Sequence, residues 1–112
     1  MIKNIGVAVV RQWVKNNEIL LIDVREAEEY EENHIENALL IPLGRINKGA
    51  LPNLEGKKLV LYCRSGNRSR MGCENLFLED STLELYNMQG GIREWMNHHY
   101  PTQPETQACP SL

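Results

Sequence analysis

The 112-residue chain has no apolar run long enough to cross a bilayer, no CxxC pair and no excess of positive charge. Each absence excludes a class of protein. A membrane-spanning helix needs about 20 consecutive apolar residues, and none is present. Twelve Lys and Arg stand against fifteen Asp and Glu, a formal charge of −3. No global basic field therefore draws nucleic acid or an anionic membrane, and any attraction for an anion has to be local. The three cysteines, Cys63, Cys73 and Cys109, form an odd set. That argues against a disulfide framework and fits a reducing compartment. His98 and His99 make no zinc pattern with Cys109, so no metal is expected, and no cofactor either. Near the N-terminus only Lys3 is basic, and the apolar run Ile5 to Val10 is cut short by Arg11 with no small-residue cleavage site behind it. The expected location is the cytoplasm. No internal repeat is found.

What is present reads as one domain. Hydrophobic residues make up 42% of the chain, enough at this length for a core that needs no metal or disulfide staple. Val7 to Asn16 predicts a helix with Val10, Trp13 and Val14 on one face. Glu18 to Val24 is a continuous apolar run, the pattern of a strand buried on both faces in a parallel sheet. A short acidic helix follows at Ala27 to Glu32, then a second buried strand at Ala38 to Ile41, stopped by Pro42. Residues 43–56, rich in Gly, Pro and Asn, are expected to be loop. Lys58 to Tyr62 is the third strand and places Cys63 at its carboxyl end. A helix from Ser69 to about Glu79 carries Cys73, Leu76 and Phe77 on one face. A strand from Leu83 to Met88 ends at Gly90-Gly91, and a last helix turns Ile92, Trp95 and Met96 inward. Such alternation predicts an α/β fold. The expected architecture is a central, mainly parallel sheet of about four to five strands flanked by helices on both faces. The expected domain is 1–100, with 101–112 a flexible polar tail.

Ligands of open α/β sheets bind outside the carboxyl ends of the strands, where Cys63 stands. The loop after it reads Arg64-Ser65-Gly66-Asn67-Arg68-Ser69. Successive N–H groups of such a loop can converge into a nest for an anion, and the helix start beyond it adds free N–H groups and the positive end of a dipole. Gly66 is the residue best able to take positive φ. Ser69 can cap the helix or donate to the sulfur, and Arg64, Arg68 and Arg70 add local charge. All of this favours thiolate over thiol. An isolated cysteine at a strand end packs as a small hydrophobe, but packing does not need this polar flank. Cys63 is the candidate nucleophile.

The stretch CRSGNRS after an apolar strand resembles the active-site loop of the rhodanese family of sulfurtransferases. Leu21 to Arg25 with Glu29-Tyr30 resembles that family's early strand and acidic helix. His34 to Ala38 with Ile41-Pro42 resembles its "GHIxGAxxIP" segment, and Gly90-Gly91-Ile92 with Trp95 resembles its "GGxxxW". The match covers roughly residues 5 to 97, as in a single-domain member. Asn33 and Asn37 replace two glycines of the pattern, at turns where Asn tolerates left-handed backbone. Gly72-Cys73 stands where the family favours two alanines, and Asp80 or Ser81 must end that helix without a glycine.

The resemblance implies a single rhodanese-like domain that moves a sulfane sulfur through a Cys63 persulfide. Its loop, Arg64 to Ser69, would bind the substrate and stabilise the persulfide. The implied donor is thiosulfate or a related persulfide donor, and the acceptor a thiol, cyanide or a protein thiol partner. A non-enzymatic persulfide carrier is an alternative, and a cysteine phosphatase or arsenate reductase-like enzyme another. Four residues separate Cys63 from Arg68, whereas the phosphatases use five, so the count favours a cradle for one extra sulfur atom. Arg68 either orients the anionic donor or is tied to a strand-end carboxylate. Asp23 and Arg25 are expected to pair and fix loop positions, His34 and Cys73 to be structural, and Cys109 to be an exposed thiol in the tail.

Overall fold

The computed structural model describes residues 1–104. Five parallel strands form one sheet in the order β1-β5-β4-β2-β3, with β1 at Ile2–Ile5, β2 at Ile19–Asp23, β3 at Leu39–Leu40, β4 at Lys58–Tyr62 and β5 at Leu85–Met88. The helices are α1 (Val7–Lys15), α2 (Ala27–Glu32), α3 (Asn67–Glu79) and α4 (Gly91–Asn97). The expected α/β architecture is the observed one. Among the described residues, no helix is long and apolar enough to cross a membrane.

The two faces of the sheet are separated by strand alternation, because successive side chains point to opposite sides. Ile19 and Leu21 of β2, Val60 and Tyr62 of β4 and Tyr86 and Met88 of β5 join Val7, Val10, Ile92 and Trp95 in one cluster, which α1 and α4 cover. Ile22, Leu59, Leu61 and Leu85 join Cys73 and Leu76 of α3 in the other, closed at its margin by Leu43, Ile46 and Leu51. Helices on both faces explain why the central strands are continuously apolar. Asn87 falls on the α3 side of this alternation, where an apolar residue would be expected, and is only 5% exposed.

The structure departs from the sequence reading at the edges. β1 carries two polar residues in four and lies at the sheet margin on β5, so it has neither the length nor the apolar run that marks the inner strands. β3 is two residues rather than four, and Leu39 is 41% exposed because no strand lies beyond it. Residues 43–56 include two 3-10 turns, Leu43–Arg45 and Lys48–Ala50. Met96 is 42% exposed instead of inward, while Ile92 and Trp95 are buried as expected. Asn37 takes the left-handed conformation (φ 71°), but Asn33 is extended (φ −166°).

The expected tail boundary moves as well. Gln103 and His34 exchange both backbone hydrogen bonds at 2.9 Å, and the Trp95 indole N–H donates to Pro101 O at 2.8 Å. Buried His34 and Trp95 would otherwise keep polar groups without partners, so Pro101 to Gln103 is docked on the domain. Residues 105–112, with Cys109, lie outside the described part.

Two glycines join β5 to α4, both at positive φ. The N–H groups that open α4 are spent on the loop after β4: Ile92 N donates to Cys63 O at 2.9 Å and Arg93 N to Arg64 O at 3.1 Å. The approach is so close that a Cβ on Gly91 would lie 2.4 Å from the Arg64 carbonyl. Gly91→Ala should therefore both strain a positive-φ residue and push the loop away, destabilising the fold by about 3 kcal/mol. Thermal unfolding checks this; an unchanged midpoint would mean that α4 and the loop can separate freely.

Candidate active site

The chain leaves β4 at Tyr62 and turns sharply over Cys63 to Gly66 before entering α3. Gly66 holds φ 107°, and this left-handed step lets the loop fold back on itself. α3 consequently begins at Asn67, two residues earlier than the sequence suggested, with Gly66 rather than Ser69 at its cap. Ser69 sits in the first turn, fully buried, facing the sulfur. Gly66 N donates to Cys63 Sγ at 3.1 Å, and Ser69 Oγ lies 3.5 Å from it.

These contacts decide the state of the thiol. Burial, the largest single influence, favours the neutral form, since Cys63 is 1% exposed. Against it act the Ser69 side chain and the backbone N–H groups of Ser69, Gly66 and Ser65. Together they outweigh burial, and the thiol ionises below its ordinary value. These donors converge on the sulfur, and hydrogen bonds rather than arginine charge do most of the work. Cys73, by contrast, is buried under α3 with its Sγ 3.6 Å from Tyr86 O, and burial pushes its thiol up to about 12.

The loop arginines divide into two kinds. Arg68 forms a fork with Glu29 of α2, Nη1 to Oε1 at 2.8 Å and Nη2 to Oε2 at 3.0 Å. Glu29 Oε1 also accepts from Glu26 N, closing a capping box at the start of α2. The structural alternative for Arg68 is therefore realised, although its carboxylate comes from a helix and not a strand end. Arg64 and Arg70 are exposed, and neither takes part in an ion pair among the described residues. Ser65 and Asn67 are also exposed.

Behind the loop, Asp23 and Arg25 pair at 2.8 Å in full burial, and Arg25 Nη2 also donates to Asn33 O at 2.6 Å. Tyr62 Oη accepts from Ile35 N at 3.1 Å, and burial pushes its phenol well above the usual range. His34 stacks on Tyr30 with ring centroids 3.7 Å apart and Nδ1 2.8 Å from Tyr30 O, where only a ring N–H can donate. These groups brace the loop's surroundings, as expected for Asp23, Arg25 and His34. Among the described residues, no cluster of three or more His, Cys, Asp or Glu could hold a metal.

Asn87 was missed by sequence reasoning. Its Oδ1 is 2.5 Å from Ser69 Oγ, and its Nδ2 donates to Gly66 O at 3.2 Å and Asn4 Oδ1 at 3.1 Å. The available signal is its break in the apolar alternation of Leu85-Tyr86-Asn87-Met88 just before Gly90-Gly91.

Comparison with known proteins agrees with this geometry. The family described as Rhodanese-like domain matches residues 7–98. The chain belongs to the rhodanese-like family. It is 31% identical over 99 residues to the thiosulfate sulfurtransferase GlpE of Coxiella burnetii, covering 88% of this chain and 92% of that one. It is 36% identical over 94 residues to the uncharacterized protein slr1261 of Synechocystis, covering 83% of this chain but spanning only about half (51%) of that relative. Among solved structures, a rhodanese-related protein from Thermoplasma volcanium superposes with a TM-score of 0.78 at 30% identity, over 92% of this chain and 99% of that one. Sulfur transfer of the rhodanese type is the chemistry these likenesses support for the chain.

The Arg68 fork has a measurable signature. It holds the Glu29 carboxyl down from 4.5 to about 2, with the Glu26 N–H helping and burial opposing. A carboxyl depressed by folding adds stability above its unfolded value and loses it as pH falls through the folded one. Between about pH 4.5 and pH 2 the melting temperature should fall more steeply for the wild type than for Glu29→Gln, the two converging at the acid end. Parallel slopes in thermal unfolding would show that the fork contributes nothing.

Proposed function

We propose that the protein is a thiosulfate-type sulfurtransferase that carries the transferred sulfur as a persulfide on Cys63. The observation behind this reading is the sulfur cradle itself: Gly66 N–H 3.1 Å from Sγ, with the Ser69 hydroxyl beside it. Arg64 and Arg70 attract the dianionic donor at the loop surface. The Cys63 thiolate attacks the outer sulfur of thiosulfate; a Cys63–sulfur bond forms, the donor's S–S bond breaks, and sulfite leaves with the electron pair. The terminal sulfur of the persulfide carries the charge, and the loop N–H groups stabilise it as an oxyanion hole stabilises oxygen. An acceptor thiolate then attacks that terminal sulfur, taking it as its own persulfide and returning the Cys63 thiolate. Cyanide would serve as a small acceptor in assays, and a thiol, including a protein thiol, in the cell. The free Cys63 and Cys73 fit a reducing cytoplasm.

Phosphate chemistry is disfavoured by the carboxylates. A phosphatase needs a protonated acid for the leaving group. Asp23 is spent on Arg25, and Glu29 stays ionised against Arg68 at neutral pH. The four-residue spacing from Cys63 to Arg68 also leaves a smaller cradle than the phosphatases use.

Intact mass after incubation with thiosulfate tests the reading. The expected result is a gain of one sulfur atom that cyanide removes and that Cys63→Ser abolishes. Rapid turnover with cyanide or a small thiol marks an enzyme, whereas loading without turnover marks a sulfur carrier that needs a partner. No gain of sulfur would sink the reading, and aryl phosphate hydrolysis lost in Cys63→Ser would replace it with a phosphatase.

A further inference from the structure

Ser69 has one hydroxyl proton and two neighbours that can accept it. Cys63 Sγ is 3.5 Å away and Asn87 Oδ1 is 2.5 Å away. The orientation of the Asn87 amide follows from chemistry: Gly66 O can only accept, so the atom 3.2 Å from it is the NH2 group, and the atom facing Ser69 is the carbonyl oxygen. The amide is held in this pose by Asn4 Oδ1 across the β1–β5 ladder, where Asn4 and Asn87 are register partners. All three side chains that share the proton, Cys63, Ser69 and Asn87, are more than nine-tenths buried. Water therefore does not level the competition between the two acceptors.

We propose that Asn87 is a positioning residue that holds the Ser69 proton while Cys63 is neutral and yields it to the sulfur when the sulfur carries charge. With Cys63 as a thiol, S–H donates to Ser69 Oγ, and Ser69 O–H donates to Asn87 Oδ1. When the thiol proton is lost to solvent, or when the persulfide anion forms, Ser69 turns its O–H toward sulfur and Asn87 Oδ1 gives up that bond. Ser69 keeps its proton throughout, and no bond between heavy atoms changes. Asn87 thereby opposes charge on the sulfur through Ser69, even as its NH2 group pins Gly66 O and so keeps the Gly66 N–H aimed at the sulfur. One amide restrains the anion and builds its cradle. For a group that must accept sulfur and release it again, such a restraint prevents over-stabilisation of the loaded state. The catalytic significance rests on the proposed sulfur transfer; the proton competition does not.

Other charged groups act from other sides. Arg68 of α3 interacts electrostatically with Cys63, and Glu29 of α2 stands behind Arg68. The Asp23–Arg25 pair lies at the end of β2, and Tyr62 precedes Cys63 on β4. Arg64 and Arg70 flank the loop in solvent, and Arg93 and Glu94 follow the Gly90-Gly91 turn on α4. None of these accepts the Ser69 proton, so a double-mutant cycle between positions 87 and 69 separates the relay from them.

The test is the pH dependence of Cys63 alkylation by iodoacetamide, followed on the Cys63 peptide by mass spectrometry. It needs no sulfur donor, so its outcome stands whether or not the protein transfers sulfur. Asn87→Leu, branched like the amide but with neither acceptor nor donor, removes two effects: release of Gly66 O raises the apparent pKa of Cys63 whatever stands at 69, and loss of the acceptor lowers it only where Ser69 is present. The shift should therefore lie lower with Ser69 than with Ala at 69 by about half a unit, since a single hydrogen bond is at stake. On Ser69→Ala the same change should show only the rise that comes from the freed Gly66 carbonyl. Asn87→Asp keeps the acceptor and makes it stronger; it should raise the apparent pKa, and by more with Ser69 present than with Ala at 69. A shift of equal size and sign in the two backgrounds, or a higher one with Ser69 present, overturns the proposal. Should Asn87→Leu fail to fold, the Asn87→Asp pair decides alone: an equal rise in both backgrounds overturns it.

Discussion

The hydrogen bond from Gly66 N to Cys63 Sγ is the contact on which the rest of the site depends. It exists because Gly66 takes a backbone conformation that a side chain would penalise, and because neighbouring elements hold both ends of the loop. At the near end, the first N–H groups of α4 take the carbonyls of Cys63 and Arg64. At the far end, Asn87 takes the carbonyl of Gly66. Those carbonyls point away from the sulfur into partners, which leaves the N–H groups between them free to point at it. A nest for an anion is thus the complement of a set of satisfied carbonyls.

This arrangement divides the electrostatic work. The sulfur is held by neutral donors at short range, whereas the loop's cations act at its surface. Arg68, the arginine nearest in role to an anion ligand, is turned aside to lock α2 onto the loop through Glu29. Arg64 and Arg70 keep their charge available to solvent. A cation fixed against the sulfur would bind the loaded anion tightly and make its release harder. Neutral N–H groups stabilise it less and can exchange with an acceptor more readily.

The sequence carries the inner sheet plainly. Leu21 to Asp23 and Leu59 to Tyr62 are buried on both faces, and the apolar runs that contain them mark both strands. The edges are another matter: Ile2 to Ile5 needs only half its residues apolar, and Leu39-Leu40 is too short for any periodicity to show. Cys63, Gly66 and Ser69 were legible because the loop places chemistry-bearing residues within seven positions of one another. Asn87 is 24 positions from Cys63 and Glu29 is 39 from Arg68, and only the parallel stacking of the strands and helices brings each pair together. Residues that touch the sulfur could be read along the chain, and residues that set its surroundings could not. The docked Pro101 to Gln103 segment escaped for a similar reason, since its partners His34 and Trp95 lie on separate elements.

The close seat of Gly91 against Arg64 also bears on how such a site could change over time. A loop longer by one residue would be the simplest route from a sulfur cradle to a pocket for a larger oxyanion. Here, that loop cannot swell in place: its early carbonyls are clasped by α4, its late one by Asn87, and the space behind Arg64 is filled to within 2.4 Å of where a methyl group would sit. An insertion would have to be accompanied by movement of α4 or by loss of the Asn87 bond to Gly66 O. The choice between related chemistries is therefore written across three segments at once, and single mutational steps between them pass through a broken clasp.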